Sequence, residues 1–374
     1  MSKVFVGLSG GVDSAVSAAL LKKDGYDVTG VFIRIDIEDA LPPACRDGRG
    51  AGRCPAAKDR LEAMRVAAHL GIPFREVDLS KEYEKKVFNG MLASYKRGET
   101  PNPDALCNRE IKFGLFYDWC MEKGADHVAT GHYAQIKGPT SRDRIPDQDS
   151  QRSDLGETHL YAGADLEKDQ SYFLWDIPAE RLARVLFPIG GLYKPEVRAL
   201  AKKIGLPNAK RPDSQGLCFL GELSLGEILM QRLKLKEGDV LDEKGAVVGR
   251  HKGAALYTLG QRHGFTLFAQ SSSTPPHFVI QKNVENNTIT VSPSKKTPAA
   301  RRRIALRETN WLGAVAPGAY TARFRHRQPP TPAVLGALKR SVMFEEPQLI
   351  APGQSVVLYH DGRCLGGGVA AGAQ

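Results

Sequence analysis

Three short segments of this sequence concentrate residues that could do chemistry. The first is Ser9-Gly10-Gly11-Val12-Asp13-Ser14, which follows a short apolar run and opens a helical pattern. Two adjacent glycines let the backbone approach an anion and take positive φ without penalty. The Ser9 and Ser14 hydroxyls, the free N–H groups of a helix start and the helix dipole all favour phosphate there. Neither G-x-x-x-x-G-K-[ST] nor G-x-G-x-x-G is present, and no Lys follows the glycines. For the glycine pair alone, a tight turn with a Ser or Asp helix cap is the plainer alternative. The full hexapeptide between strand and helix points to a nucleotide.

The second segment runs from Thr100 to Phe113, TPNPDALCNREIKF. Its two prolines stiffen the approach and restrict the residues before them. It feeds a helix, so Cys107 lies near a helix N-terminus with Arg109 and Lys112 close in sequence, a setting that raises the thiolate fraction. Asp104 is near enough to exchange a proton. The alternative is a buried Cys beside an Asp helix cap. The third segment, Asp213–Gly221, reads DSQGLCFLG. Glycines and polar residues flank Cys218, which suggests an accessible loop. Two thiols on separate segments suit a relay, one carrying sulfur as a persulfide and the other resolving it as a disulfide. Two unrelated packing cysteines are the competing reading.

The elements that must position these segments alternate strand and helix. Lys3–Leu8, Val28–Ile33, Arg75–Asp78 and His127–Thr130 read as strands. Helical patterns run over Asp13–Lys23, Leu61–Leu70, Tyr83–Tyr95 and Ile111–Lys123. This predicts an α/β, doubly wound parallel sheet. His132–Ile136 and His159–Ala162 read as a hairpin around the long polar loop 137–158, while 39–58 has no apolar period. Beyond about Gly221, short β-type runs separated by Gly and Pro predict a small mixed domain and then a β-barrel-like domain. The expected boundaries are 1–222, 223–296 and 297–374.

Seven motifs occur in order: SGGVDS, TPNPDALCNREIKF, ATGHYA (129–134), KDQSYFL (168–174), DSQGLCFLG, YTLGQR (257–262) and PGQ with LGGG (352–368). The loop resembles that of the N-type ATP pyrophosphatases, and the ordered set resembles the bacterial-type tRNA-specific 2-thiouridylases across nearly the whole chain. The resemblance implies ATP, with Mg²⁺ on its phosphates and no tightly bound metal, used to adenylate a wobble uridine before sulfur transfer. It implies phosphate binding by Gly7, Leu8, Ser9, Gly10, Gly11, Val12, Asp13 and Ser14, with Ile33 and Gly131 beside adenine. Asn102, Pro103 and Asp104 would meet the target base, Asp104 moving a proton. Cys107 would be the nucleophile and Cys218 the persulfide carrier, ending as a disulfide. His132, Lys168, Asp169, Gln170, Arg325, His326 and Gln354 would touch tRNA. His326 stands where the family has Tyr, and Arg34-Ile35-Asp36-Ile37-Glu38 where it has a Trp and then a Cys.

Composition bounds the partners. The chain has 374 residues, 42% hydrophobic, which argues against wholesale disorder. Lys plus Arg exceeds Asp plus Glu by 52 to 42, and the resulting +10 favours a polyanion. Much of that excess follows Ser294, where Arg323, Arg325 and Arg327 at alternate positions are expected to share one strand face toward RNA. The N-terminus lacks a signal-peptide pattern and no apolar run approaches a membrane span, so a cytoplasmic enzyme without a membrane partner is expected. Of six cysteines, Cys45, Cys54, Cys120 and Cys364 are assigned to packing or surface loops. The expected partners are tRNA and a sulfur-donor or relay protein, with the free chain a monomer. Two other readings remain: an ATP-dependent ligase or amidotransferase acting on a small acid, and a non-catalytic RNA-binding protein.

Overall fold

The computed structural model describes residues 1–37, 55–138, 158–213, 225–269, 275–294 and 300–372. Cys45, Cys54, Cys218 and the loop from 139 to 157 lie outside them. Among the described residues the strands form three sheets.

The first sheet is wholly parallel, in the order β3 (Phe74–Asp78), β2 (Asp27–Arg34), β1 (Lys3–Gly7), β4 (His127–Ala129) and β7 (Val185–Leu186). Its central strand is buried on both faces, as an apolar run covered by helices on each side requires. Val4 and Val6 join one core with helix α1 (Val12–Lys23) and helix α2 (Pro55–Leu70). Phe5 joins the other core, which includes Cys107, Ile111 and Phe113. The α/β expectation therefore holds.

Two further helical stretches cover that second face. Helix α3 (Ser80–Tyr83) and helix α4 (Asn89–Lys96) are joined through a π-helical turn at Glu84–Phe88. Helix α5 (Pro103–Cys107) continues through a second π-helical turn, Asn108–Leu115, into helix α6 (Phe116–Glu122). The helical signal expected from Ile111 thus starts earlier, at Pro103. Asn102 caps it by accepting the Ala105 N–H at 3.2 Å, and proline suits the first helical position. Helix α7 (Lys194–Ile204) packs against α1, and helix α8 (Leu225–Leu233) follows.

The second sheet is mixed, in the order β10 (Phe265–Leu267), β9 (Val247–His251), β8 (Gly238–Leu241), β12 (Thr288–Ser292) and β11 (Phe278–Asn283). Its β8–β12 pair is parallel and the other pairs antiparallel. The third contains β13 (Arg301–Trp311), β16 (Ser341–Gln348), β15 (Thr331–Leu335), β14 (Gly318–Arg323), β17 (Ser355–His360) and β18 (Arg363–Ala370), closed into a barrel by the β13–β18 pair. The hairpin β5 (Ala134–Lys137) with β6 (His159–Ala162) extends this sheet, because Leu160 and Tyr161 pair with Cys364 and Arg363. Residues early in the chain are thereby built into the barrel sheet.

One expectation fails. Strand β14 ends at Arg323, Arg325 follows outside it, and Arg327 has φ 61° in a turn. The three side chains do not share a strand face. No helix among the described residues is long and apolar enough to cross a membrane.

Candidate nucleotide and sulfur-transfer site

The Ser9–Ser14 loop leaves β1 and enters α1 with positive φ at Gly10 (75°). The helix starts at Gly11 without a side-chain cap, and the Gly11 N–H donates to Ser9 Oγ at 3.3 Å. Ser14 Oγ instead braces the loop, donating to Gly11 O at 3.2 Å and accepting from Ser9 N at 3.2 Å. A capped turn was the plainer alternative, and the uncapped start favours an anion site. Gly131 lies directly on this loop: a Cβ there would sit 2.6 Å from Ser14 N. Ile33 is buried in the core, 7% exposed.

The loop lacks a lysine of its own, and the fold supplies one from α7. Lys194 Nζ contacts both Asp13 carboxylate oxygens at 2.8 and 2.9 Å, and Asp213 at 2.8 Å. Tyr133 O–H also donates to Asp13, at 2.9 Å. Asp213 is held further by Lys168 at 2.9 Å and by Arg198. Burial works against its charge, but these three cations hold its carboxyl well below the usual range. Asp213 is the root of the segment carrying Cys218. On the loop's other side, Asn208 and Arg211 donate to Gly10 O at 2.8 and 3.2 Å. None of Tyr133, Lys194, Arg198, Asn208 or Arg211 was singled out from the sequence. One signal was available: Lys194 and Arg198 sit in the first turns of α7, where the helix dipole disfavours cations, so some local anion must hold them.

The motif residues 129–134 and 168–174 dock on each other. Gln170 donates its N–H to Tyr133 O at 2.9 Å, and its Oε1 accepts the Tyr133 N–H at 3.0 Å. His132 is buried between Phe113 and Phe187. Burial, and secondarily Lys112, lowers its pKa well below the usual value, so it is neutral.

Cys107 is 1% exposed, at the end of α5. Arg109, expected to act on it, is bound to Asp176 at 2.8 Å and Glu110 at 3.0 Å. Lys112 Nζ lies 3.4 Å from His132 Nε2. Asp104 is in the first turn of α5 and is among the charges acting on His326. Asn102 Nδ2 donates to Ser355 Oγ at 3.1 Å, 253 residues away, and Thr100 N donates to Pro352 O at 2.7 Å. The barrel therefore fixes the entry to the Cys107 helix. Gln354 is used within that barrel turn, its Oε1 accepting from Ala351 N at 2.8 Å.

Several residues expected at tRNA have internal duties. The Asp169 side chain is fully buried and accepts from Gly163 N, Ser171 N, Ser171 Oγ and Arg323, the last at 2.6 Å. His326 Nε2 lies 3.1 Å from Asp169 O, its ring against Phe173 at 4.6 Å between centroids. Arg325 donates to Leu259 O at 2.8 Å, joining the barrel to the YTLGQR motif. Lys168, 34% exposed, keeps a partly open ammonium. Cys120 and Cys364 are buried thiols, burial pushing Cys364 up to about 12 and Cys120 up as well.

Comparison with known proteins gives three consecutive family matches. Residues 2–222 match the tRNA methyl transferase HUP domain, 226–293 the tRNA methyl transferase PRC-barrel domain, and 301–370 the Aminomethyltransferase beta-barrel domain. The chain is 41% identical to the tRNA-specific 2-thiouridylase of Thiobacillus denitrificans, covering 98% of this chain and 99% of that one. It is 39% identical to the enzyme of the same name from Enterococcus faecalis, covering 98% and 95%. Among solved structures, a 4-thiouridine synthetase–RNA complex with bound ATP is similar at 18% identity and TM-score 0.34, over 62% of this chain and 50% of that one. That last likeness is too distant to speak to chemistry.

Proposed function

We propose, given that the chain belongs to the tRNA-specific 2-thiouridylase family, that it converts a wobble uridine of tRNA to 2-thiouridine at the expense of ATP. The carrying observation is Lys194, whose ammonium joins Asp13 of the phosphate loop to Asp213 at the root of the Cys218 segment. One cation thus stands where nucleotide chemistry and sulfur chemistry meet. The uncapped start of α1 offers its N–H groups to phosphate, Lys194 is a cation held against the loop by Asp13, and Asp13 would be the carboxylate that holds an Mg²⁺ on the phosphates.

In this reading, uridine O2 attacks the α-phosphate of ATP and pyrophosphate leaves. The adenylated oxygen becomes a good leaving group. The terminal sulfur of a Cys218 persulfide attacks C2, the C2–O bond breaks, and AMP departs with that oxygen. The Cys107 thiolate then attacks Cys218 Sγ. The S–S electron pair passes to the sulfur left on C2, and a Cys107–Cys218 disulfide forms. An external dithiol must reopen it, and a sulfur-donor protein must reload Cys218. Asp104 moves the proton of the target base. Asn102 and Pro103 serve this site by fixing the turn that presents Asp104 and Cys107. Lys168 and Gln170 are the residues of the KDQ motif whose exposure suits RNA, whereas Asp169 braces the motif from inside.

The test incubates the protein with unmodified tRNA, ATP and a persulfide or sulfide source, and reads nucleosides by mass together with AMP and pyrophosphate. Thiolated uridine formed only with ATP is the expected result. A methylated nucleoside, or thiolation independent of ATP, would overturn the reading. A small-acid ligase would form AMP without tRNA, and a non-catalytic RNA binder would form none.

A further inference from the structure

Helix α5 spans only Pro103–Cys107, yet it carries both Asp104 and Cys107. So short a helix does not hold itself, since isolated helices are marginal below about 12–15 residues. The chain beyond gives no regular continuation. It passes into the π-helical turn Asn108–Leu115, where Gly114 has φ −102° and ψ −107°. What fixes each end of α5 therefore fixes the two groups on it.

An asparagine ties down each end. Asn102, before the helix, accepts the Ala105 N–H at 3.2 Å and donates from Nδ2 to Ser355 Oγ at 3.1 Å. Asn108, directly after Cys107, donates from Nδ2 to Phe173 O at 2.9 Å. Both tethers lead to one body. Phe173 closes the 3₁₀ turn Ser171–Phe173, and that segment is held to Ser355. The Tyr172 O–H donates to Ser355 O at 3.1 Å, and Trp175 Nε1 donates to Ser355 Oγ at 3.0 Å. The hydrogen bonds thus run in a closed ring, from one end of α5 through β17 and the 171–175 segment back to the other end.

Asn108 is not the residue that stability would select. It is 2% exposed, and its Oδ1 is buried without a hydrogen-bond donor among the described residues. A main-chain carbonyl only accepts, so Phe173 O fixes which way the amide is turned. The side chain makes one hydrogen bond and leaves one buried carbonyl unpaired, a cost comparable to the stabilisation from the bond it makes. Its return is geometric, because that bond is the tether at the Cys107 end of α5.

We propose that Asn108 is a positioning residue for release of the thiolated base, acting through Cys107 by holding that end of α5 to Phe173. This rests on the thiolation reading above. There, departure of AMP leaves the base joined to the protein as a C2–S–S–Cys218 disulfide. The Cys107 thiolate attacks Cys218 Sγ, that S–S bond breaks, and its electron pair goes to the sulfur on C2. Asn108 neither gains nor loses a proton in this exchange. It sets where Cys107 stands when the exchange begins.

The experiment loads the full chain with persulfide, adds unmodified tRNA and ATP without an external thiol, and follows a single turnover. Wild type is compared with Asn108→Leu, which keeps the size without a polar atom, and Asn108→Asp, which keeps the shape without the N–H donor. AMP, free thiolated tRNA and tRNA linked to protein on a non-reducing denaturing gel are read together, with melting temperature alongside. In both variants AMP release should stay within about threefold of wild type, while free thiolated tRNA appears about 100-fold more slowly, as a small misplacement of a reacting group can cause. The missing product should be the tRNA–protein adduct, and dithiothreitol should discharge it as thiolated tRNA. Asn108→Leu should melt within about 4 °C of wild type. Wild-type release of thiolated tRNA by either variant overturns the proposal. So does a joint fall of AMP release, product and melting temperature with no adduct, which would make Asn108 structural. A wild-type protein that makes no thiouridine defeats the thiolation reading instead, so the two failures are separable.

Discussion

Lys194 and Asp13 are 181 residues apart in sequence, yet the Lys194 ammonium contacts both oxygens of the Asp13 carboxylate at 2.8 and 2.9 Å. The same ammonium reaches Asp213 at 2.8 Å. Lys194→Met should therefore cut ATP-dependent pyrophosphate release by about 10²–10³-fold, the size of effect seen when one electrostatic donor is removed from an active site. RNA affinity measured without ATP should change little. Pyrophosphate release at wild-type rate would exclude Lys194 from the nucleotide site.

Gly131 has no room for a side chain against Ser14 and Asp13. Gly131→Ala should push the loop out of shape at a cost of about 1–3 kcal/mol, the range for overpacking. ATP affinity by calorimetry and melting temperature should fall together. An unaltered affinity would place the nucleotide elsewhere.

Asp169 and Arg323 form a buried pair, with side chains 0% and 12% exposed. Asp169→Ala strands the guanidinium, and losing one partner of such a pair costs about 3–5 kcal/mol. A denaturant melt should register this, while the salt dependence of RNA binding stays as it was. A changed salt slope with unchanged stability would return Asp169 to the RNA surface.

His132 should make the protein acid-sensitive. Its folded pKa lies below its ordinary 6.5, so folding favours the neutral ring. That stability is fully present above about pH 6.5 and is lost as pH falls through the folded pKa. His127, His251 and His326 are lowered too, so the comparison must be between variants. His132→Gln should flatten the fall of melting temperature as pH drops below about 6.5, relative to wild type. Parallel curves would contradict the assignment.

The thiols should divide into two classes. Cys107→Ser and Cys218→Ser should each abolish persulfide-dependent thiolation and leave AMP formation intact. Cys120→Ala and Cys364→Ala should retain thiolation and lose only packing energy, because burial disfavours their thiolates. Thiouridine yield for each variant, read by nucleoside mass analysis, decides the assignment.

The phosphate loop was legible in the sequence because its information is local: adjacent glycines, hydroxyls and a strand-to-helix junction all fall within six residues. The α/β order was legible for the same reason. The loop's cation was not, since Lys194 becomes its neighbour only when α7 packs on α1. Nor could the sequence show that Asn102 and Thr100 are held by Ser355 and Pro352. The expected basic strand face failed because alternation alone does not reveal where a strand ends. Strand β14 stops at Arg323, whose charge goes to Asp169 rather than to an RNA phosphate. By itself the sequence determined the α/β order and the order of the motifs along the chain. Only the tertiary structure decided which charges are spent internally and which face the site, because a hydrogen-bond partner is set by distance in space rather than along the chain.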